Sequence, residues 1–181
     1  MAGDIQRIAD LESAPVAEAV AQHSEVVESL YVAGSVGARP LVVVRPMGFL
    51  TAAELRRHCR ELGVAAEFDV LFIDETQAVD TAAPDAAWLT ANAAPDALSL
   101  FEAPDGEIET QLVAVWERIL DFTPISVHDD FVDVGGDSLS AMEIAVAIAQ
   151  RWDVNLSLVD LVDASSVRNL SELVRAAQAS R

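Results

Sequence analysis

The 181 residues allow one domain or two small ones, and just over half of them are apolar, enough to build a core. With 30 acidic side chains against 11 basic ones the formal net charge is −19, spread over the chain (17 acidic and 6 basic residues up to Asp105, 13 and 5 beyond it), which excludes a binder of nucleic-acid phosphates or anionic membrane and favours basic protein partners. A single cysteine excludes an internal disulfide, the opening MAGDIQRIADLES lacks the apolar core of a signal peptide, and no apolar run approaches the roughly 18 residues of a membrane span, so a soluble, cytoplasmic protein is expected, with a monomer as the default.

In chain order, Leu11 to Gln22 has a helical pattern rich in Ala, Val and Glu. Val26 to Ala33 (VVESLYVA) reads as a strand, with Val26, Leu30 and Val32 on one alternating face. Gly34 to Gly37 reads as a turn, and Leu41 to Arg45 (LVVVR) as a short apolar strand stopped by Pro46. Thr51 is a predicted helix N-cap, completed as a capping box by Glu54. The helix behind it puts Ala52, Leu55, Cys59 and Leu62 on one face and ends at Gly63, and Phe68 to Ile73 (FDVLFI) makes a third strand. Residues 1–75 are therefore expected to form a two-layer α+β unit of two helices and about three strands. Residues 76–105, rich in Ala, Pro, Asp and Thr, read as a linker, with room for a short helix near Asp85 to Ala91 or for docking of apolar side chains, Trp88 among them. Beyond it the period is helical. Ile108, Leu112, Val115 and Ile119 mark one helix face, and a loop runs from Asp121 to Gly136. A second helix starts at Ser138 with Ala141, Ile144, Ala145 and Ile148 inward. Leu158, Leu161 and Val162 suggest a short third helix; Val167, Leu170, Leu173 and Val174 mark a last one, capped by Ser165 or Ser166. Residues 106–181 are thus expected to form an all-α four-helix bundle.

The informative stretch is DDFVDVGGDSLSAMEIAVAIAQRW, residues 129–152. An acidic loop leads through two glycines, Gly136 the second, to Asp137 and Ser138 at a helix start. Glycines keep such a loop thin and let its backbone turn where other residues resist. Ser138 by itself reads as an ordinary N-cap; presented outward, its hydroxyl becomes a point of attachment. A phosphate carried there would lie near free backbone N–H groups and the positive end of the helix dipole, with Asp137 opposing full neutralisation. Leu139 and Met142 follow beside the serine and read as an exposed, adaptable patch for partners or as core. Asp129, Asp130, Asp133 and Asp137 read as a solvated acidic loop more readily than as metal ligands, Asp137 sharing the capping. His23, His58 and His128 are scattered and form no triad pattern. Cys59 lies on the inward face of its helix and reads as a buried apolar residue; Trp116 and Trp152 read as core or near-core aromatics.

Taken together, DxFxxxGGDSL followed by an amphipathic helix resembles the peptidyl and acyl carrier domains of nonribosomal peptide and polyketide assembly lines. The likeness runs from about Glu107 to Ala177, through EIETQLVAVWERIL, ISVHDDFVDVGGDSL and LSLVDLVDASSVRNLSELV, and the GGDS form is closer to peptidyl carriers. The resemblance implies that Ser138 receives 4′-phosphopantetheine from coenzyme A through a phosphopantetheinyl transferase, beside Asp137 and Gly136, with Leu139 and Met142 meeting partners. It also implies a non-catalytic carrier of an acyl or aminoacyl thioester, loaded by an adenylate-forming ligase and unloaded by condensing, tailoring or releasing enzymes. The cargo is not legible in such a sequence.

The first part also resembles a family. IADLESAPVAEAVAQHSEVVESLYVAG, RPLVVVRPMGFLTAAELRRHCREL and EFDVLFIDE, over about Ile5 to Glu75, are similar to the small C-terminal subdomain of adenylate-forming ligases. Two departures bear on activity. The large ATP- and substrate-binding domain of that family is not among the 181 residues. Where the family has a Gly-Lys whose lysine contacts the adenylate, this chain reads TQAVDTAAPDAAW, and it contains no Lys at all. The expectation is a degenerate, non-catalytic module that meets partners; the alternative is a fragment of an adenylating ligase acting in trans, which the missing lysine disfavours.

Overall fold

The apolar run at residues 41–44 forms the buried centre of a four-stranded sheet. The computed structural model describes residues 14–32, 39–64, 66–74, 89, 91–94 and 96–180, and the chain divides into two compact units, Met1–Leu100 and Phe101–Arg181. In the first, β1 (Val26–Val32), β2 (Leu41–Pro46), β3 (Asp69–Phe72) and β4 (Leu98–Ser99) lie side by side in that order. β2 pairs antiparallel with β1 and parallel with β3, and β3 pairs antiparallel with β4. All of Leu41–Val44 is buried because both faces of the central strand are covered. Val42, Val44 and Val70 pack against Val16 and Val20 of α1 (Ala14–Ala21) and Leu55 and Cys59 of α2 (Ala52–Glu61). Leu41, Val43 and Leu71 pack against Leu89 and Leu98.

Several expectations change here. Val26 does not share a face with Leu30 and Val32: it packs with the helix-side cluster while they pack on the other. The register shifts between Val26 and Glu28, and one extra residue in a strand turns what precedes it to the opposite face. Leu62 is exposed as the C-cap of α2, not buried. The stretch expected as a linker contributes β4 and Leu89 to the first unit, because the second sheet face needs an apolar cover. Trp88 and the Gly34–Gly37 turn lie outside the described residues. The capping box is as expected: Glu54 N donates to Thr51 Oγ1 (3.2 Å) and Thr51 N to Glu54 Oε2 (3.0 Å). Arg56 is fully buried and pins α2 to the sheet, with Nε donating to Phe68 O (3.1 Å) and Nη2 to Ser99 O (3.3 Å).

The second unit holds four helices: α3 (Gly106–Leu120), α4 (Ser138–Trp152), α5 (Leu158–Ala164) and α6 (Val167–Ala179). α3 touches α4 and α6, and α5 touches both α4 and α6. The buried face of α3 is Glu109, Leu112, Val113 and Trp116, not the expected row through Ile108, Val115 and Ile119. That face is rotated because α3 buries the large Trp116 together with a charged residue, Glu109, that hydropathy alone assigns to solvent. α4 buries Ala141, Ile144 and Ile148 as expected, while Ala145, expected inward with them, is only half-buried. Of Leu158, Leu161 and Val162 only Leu161 is buried, and Leu173 of α6 is exposed. Ser166, not Ser165, caps α6, accepting from Asn169 N (3.3 Å). Among the described residues, no helix is long and apolar enough to cross a membrane.

Candidate functional site

The loop before α4 is built around Phe131. Its ring is buried and meets Trp116 edge-on, with centroids 5.3 Å apart, and its N–H donates to Ser165 O (2.6 Å). Gly136 N donates back to Phe131 O (2.8 Å), and this return sets the close approach of the two strands of the loop. A Cβ at Gly136 would lie 2.4 Å from Phe131 O and 2.5 Å from its ring, so only glycine fits. Gly135 is needed for a different reason, a φ of +90° that side-chain-bearing residues rarely adopt.

Asp137, Ser138 and the first turn of α4 follow directly. Asp137 is the N-cap: its Oδ1 accepts from Leu139 N (3.0 Å) and Ser140 N (2.8 Å), and Ser140 Oγ accepts in return from Asp137 N (2.8 Å). These bonds, those to Ser140 first, hold the Asp137 carboxyl below the usual carboxylate range. Ser138 is the first residue of the helix and exposed. With the capping taken by Asp137, its hydroxyl is not consumed in holding the helix end. The expectation that a phosphate here would meet the free N–H groups of the helix start is corrected for two of them, since the Asp137 carboxylate occupies Leu139 N and Ser140 N.

Leu139 is 60% exposed and Met142 46%, so neither is core. The row continues outward to Val146, one turn on, and Val132 in the loop and Leu158, Val159 and Val162 of α5 are exposed as well. Their signal in the sequence is apolar residues at i, i+3 and i+7 from Leu139, one face away from the inward row. The acidic residues of the loop divide. Asp129 is buried and organises the backbone, Oδ2 accepting from Ser126 N (2.8 Å), and Asp130 Oδ1 accepts from Val132 N (2.8 Å). Asp129 is therefore a turn-former, not part of a solvated row. No group of three or more His, Cys, Asp or Glu among the described residues has the arrangement to hold a metal ion.

The remaining candidates fall elsewhere. His23 and His58 meet edge-on in the first unit with ring centroids 5.0 Å apart. His128 is in the second, its Nε2 2.9 Å from Glu102 Oε2. Burial raises the Cys59 thiol to about 11, which keeps it protonated and inert at neutral pH. The residue that sequence reasoning missed is Glu109, fully buried, with Oε1 3.3 Å from Arg168 Nη1 and 3.5 Å from Arg175 Nη2, and accepting from Ser171 Oγ (3.2 Å).

Comparison with known proteins falls on this unit. Residues 110–174 match the family model described as "Phosphopantetheine attachment site". Bacitracin synthase 2 of Bacillus licheniformis is 40% identical over 79 residues, 44% of this chain and 3% of that protein, so the chain spans a small part of the curated relatives it matches. A peptidyl carrier protein, solved in complex with the phosphopantetheine transferase Sfp and coenzyme A, is 30% identical, with 42% of this chain covering 99% of that one at a TM-score of 0.41. A four-domain nonribosomal peptide synthetase bound to AMP and glycine is 20% identical over 92% of this chain and 13% of its own, with a TM-score of 0.43. Domains of the matched family tether rather than catalyse, and their prosthetic group is 4′-phosphopantetheine, held covalently and drawn from coenzyme A. An exposed hydroxyl free of capping duty, at the head of a helix fixed by its neighbour, fits such a group. Over residues 110–174, the C-terminal unit belongs to the phosphopantetheine attachment-site family.

Proposed function

We propose that Ser138 is the residue that carries the phosphopantetheine, and that the chain holds an acyl or aminoacyl group for partner enzymes in secondary-metabolite assembly. The observation that carries this is the division of labour at the head of α4: Asp137 makes the capping hydrogen bonds and Ser138 presents an exposed hydroxyl. Asp137 is a poor base, because three donors hold it ionised, so removal of the serine proton is left to the transferase. The group supplies a thiol that takes the cargo as a thioester. The chain's own residues hold it at a fixed point and bring cargo to the next enzyme at high effective concentration. Gly136 keeps the approach to Ser138 thin, and exposed Leu139 and Met142 give partners an apolar surface on an otherwise acidic protein.

The test is intact-protein mass spectrometry after incubation with coenzyme A, Mg²⁺ and a promiscuous phosphopantetheinyl transferase. Wild type gains the mass of one phosphopantetheine; Ser138→Ala gains nothing and melts at nearly the wild-type temperature. Modification of the Ser138→Ala protein would refute the assignment.

For residues 1–75 we infer a partner-interaction module, descended from the C-terminal subdomain of an adenylate-forming ligase and without adenylating activity. The likeness of its segments to that subdomain supports the ancestry. The absence of any lysine from the chain supports the loss of activity, since the position that contacts the adenylate in that family has no equivalent here. ATP–pyrophosphate exchange across candidate acids, with and without neighbouring proteins, checks this: exchange that depends on this chain would restore the ligase reading. The partners proposed are a transferase, a separate adenylate-forming ligase and condensing, tailoring or releasing enzymes. The setting proposed is the cytoplasm, with the chain acting as a monomer.

A further inference from the structure

Ser138 and its loop rest on a residue that precedes the matched stretch. Residues 101–105 lead into α3, and their backbone is bonded to the foot of the loop. Glu102 N donates to Ser126 Oγ (3.0 Å), and Val127 N donates to Glu102 O (3.0 Å). The Glu102 carboxylate bridges two further elements, meeting His128 through Oε2 and Arg168 of α6 through Oε1. Arg168 closes the ring by donating its own backbone N–H to Val127 O (2.9 Å). From this foot the loop proceeds by bonded steps: Ser126 N to Asp129 Oδ2, Phe131 N to Ser165 O, Gly136 N to Phe131 O, and the Asp137 cap.

We propose that Glu102 is a positioning residue for modification of Ser138: by clamping His128 and Arg168 it fixes the foot of loop 126–137 and so the presentation of the serine hydroxyl. This rests on the reading of Ser138 as the attachment residue. Glu102 is about half exposed, so its contribution to overall stability is small. Its effect falls instead on one backbone, the stretch that must hold a hydroxyl in register with a transferase, where small misplacements are costly. The hydrogen bond to His128 and the charge of Arg168 keep its carboxyl below the ordinary glutamate range, so the clamp is made at neutral pH. The groups facing it are His128 from the loop and Arg168 from α6, the latter shared with buried Glu109.

The experiment uses the full chain as wild type, Glu102→Gln and His128→Ala, with a promiscuous transferase, coenzyme A and Mg²⁺. Glu102→Gln is expected to lower kcat by about threefold to tenfold with KM for the carrier little changed, as expected for a misplaced hydroxyl. His128→Ala, which removes one arm of the clamp, gives a smaller loss in the same direction. In the unmodified proteins, amide resonances from Val127 to Gly136 shift in both variants, while those of α2 and β2 stay in place. Wild-type kcat and unshifted loop amides in both variants would overturn the proposal, and so would a change confined to KM, which would make Glu102 a contact of the transferase. Failure of the wild type itself to be modified would instead condemn the assignment of Ser138.

Discussion

At the residue scale, the two loop glycines and the Asp137–Ser138 pair each separate functions that look alike in sequence. GGDS contains two glycines, one required by φ and the other by the Phe131 backbone and ring. Gly136→Ala therefore drives a methyl group into the Phe131 carbonyl and its buried ring, neither of which is free to give way. We expect it to destabilise the second unit by about 1–3 kcal/mol, the usual cost of overpacking, read as a lower urea midpoint for the transition that reports Trp116. An unchanged midpoint would mean that the loop shifts freely. Asp and Ser are both good N-caps, and the register of the helix decides which one serves. Here Asp137 does, which leaves the Ser138 hydroxyl out of the cap. Burial keeps Cys59 protonated at neutral pH, and of the three histidines His128 is the one that belongs to the loop, where it meets Glu102.

At the scale of elements, α3 carries the least expected feature. It turns Glu109 inward, onto two arginines of α6, with a bond from Asp105 N (2.9 Å) at its own start. Removing one partner of a buried charge cluster leaves the others uncompensated. Arg168 and Arg175 are themselves partly exposed and can recover water, so Glu109→Ala is expected near the low end for such changes, about 3 kcal/mol. Equilibrium unfolding by urea checks it: the second unit should unfold earlier and the first at its wild-type midpoint. A shift below 1 kcal/mol would rank the cluster with ordinary surface pairs. In the first unit, the bulge in β1 reverses the facing of Val26, which simple alternation gets wrong.

For the whole molecule, β4 and Leu89 set where the chain can be divided. A cut near residue 90 would leave Leu98–Ser99 without β3 and strip Leu89 from the second sheet face. A cut after Leu100 follows the boundary between the two units and keeps Glu102 with its loop. Residues 101–181 alone are expected to accept phosphopantetheine at near the wild-type rate, and to be loaded more slowly by the cognate ligase if the first unit recruits it. Equal loading with and without residues 1–100 would end the recruitment reading. With a net charge of −19, any recruitment by basic partners weakens as salt rises, since exposed charges are screened beyond about 8 Å at physiological ionic strength.

The sequence by itself determined the elements whose signals are local. The capping box at Thr51, the apolar strand at residues 41–44, the inward row of α4 and the GGDSL segment each lie within a few neighbouring residues, where period and turn chemistry act. The tertiary structure decided what depends on residues far apart in the chain. Burial of Glu109 needs Arg168 and Arg175 from the last helix, and the rotation of α3 follows from that and from Trp116 meeting Phe131. Glu102 reads as one more exposed acid until His128 and Arg168 are brought to it. The role of residues 89–99 was equally hidden, because an apolar side chain in a Pro- and Asp-rich stretch becomes core only when a sheet face elsewhere in the fold lacks a cover.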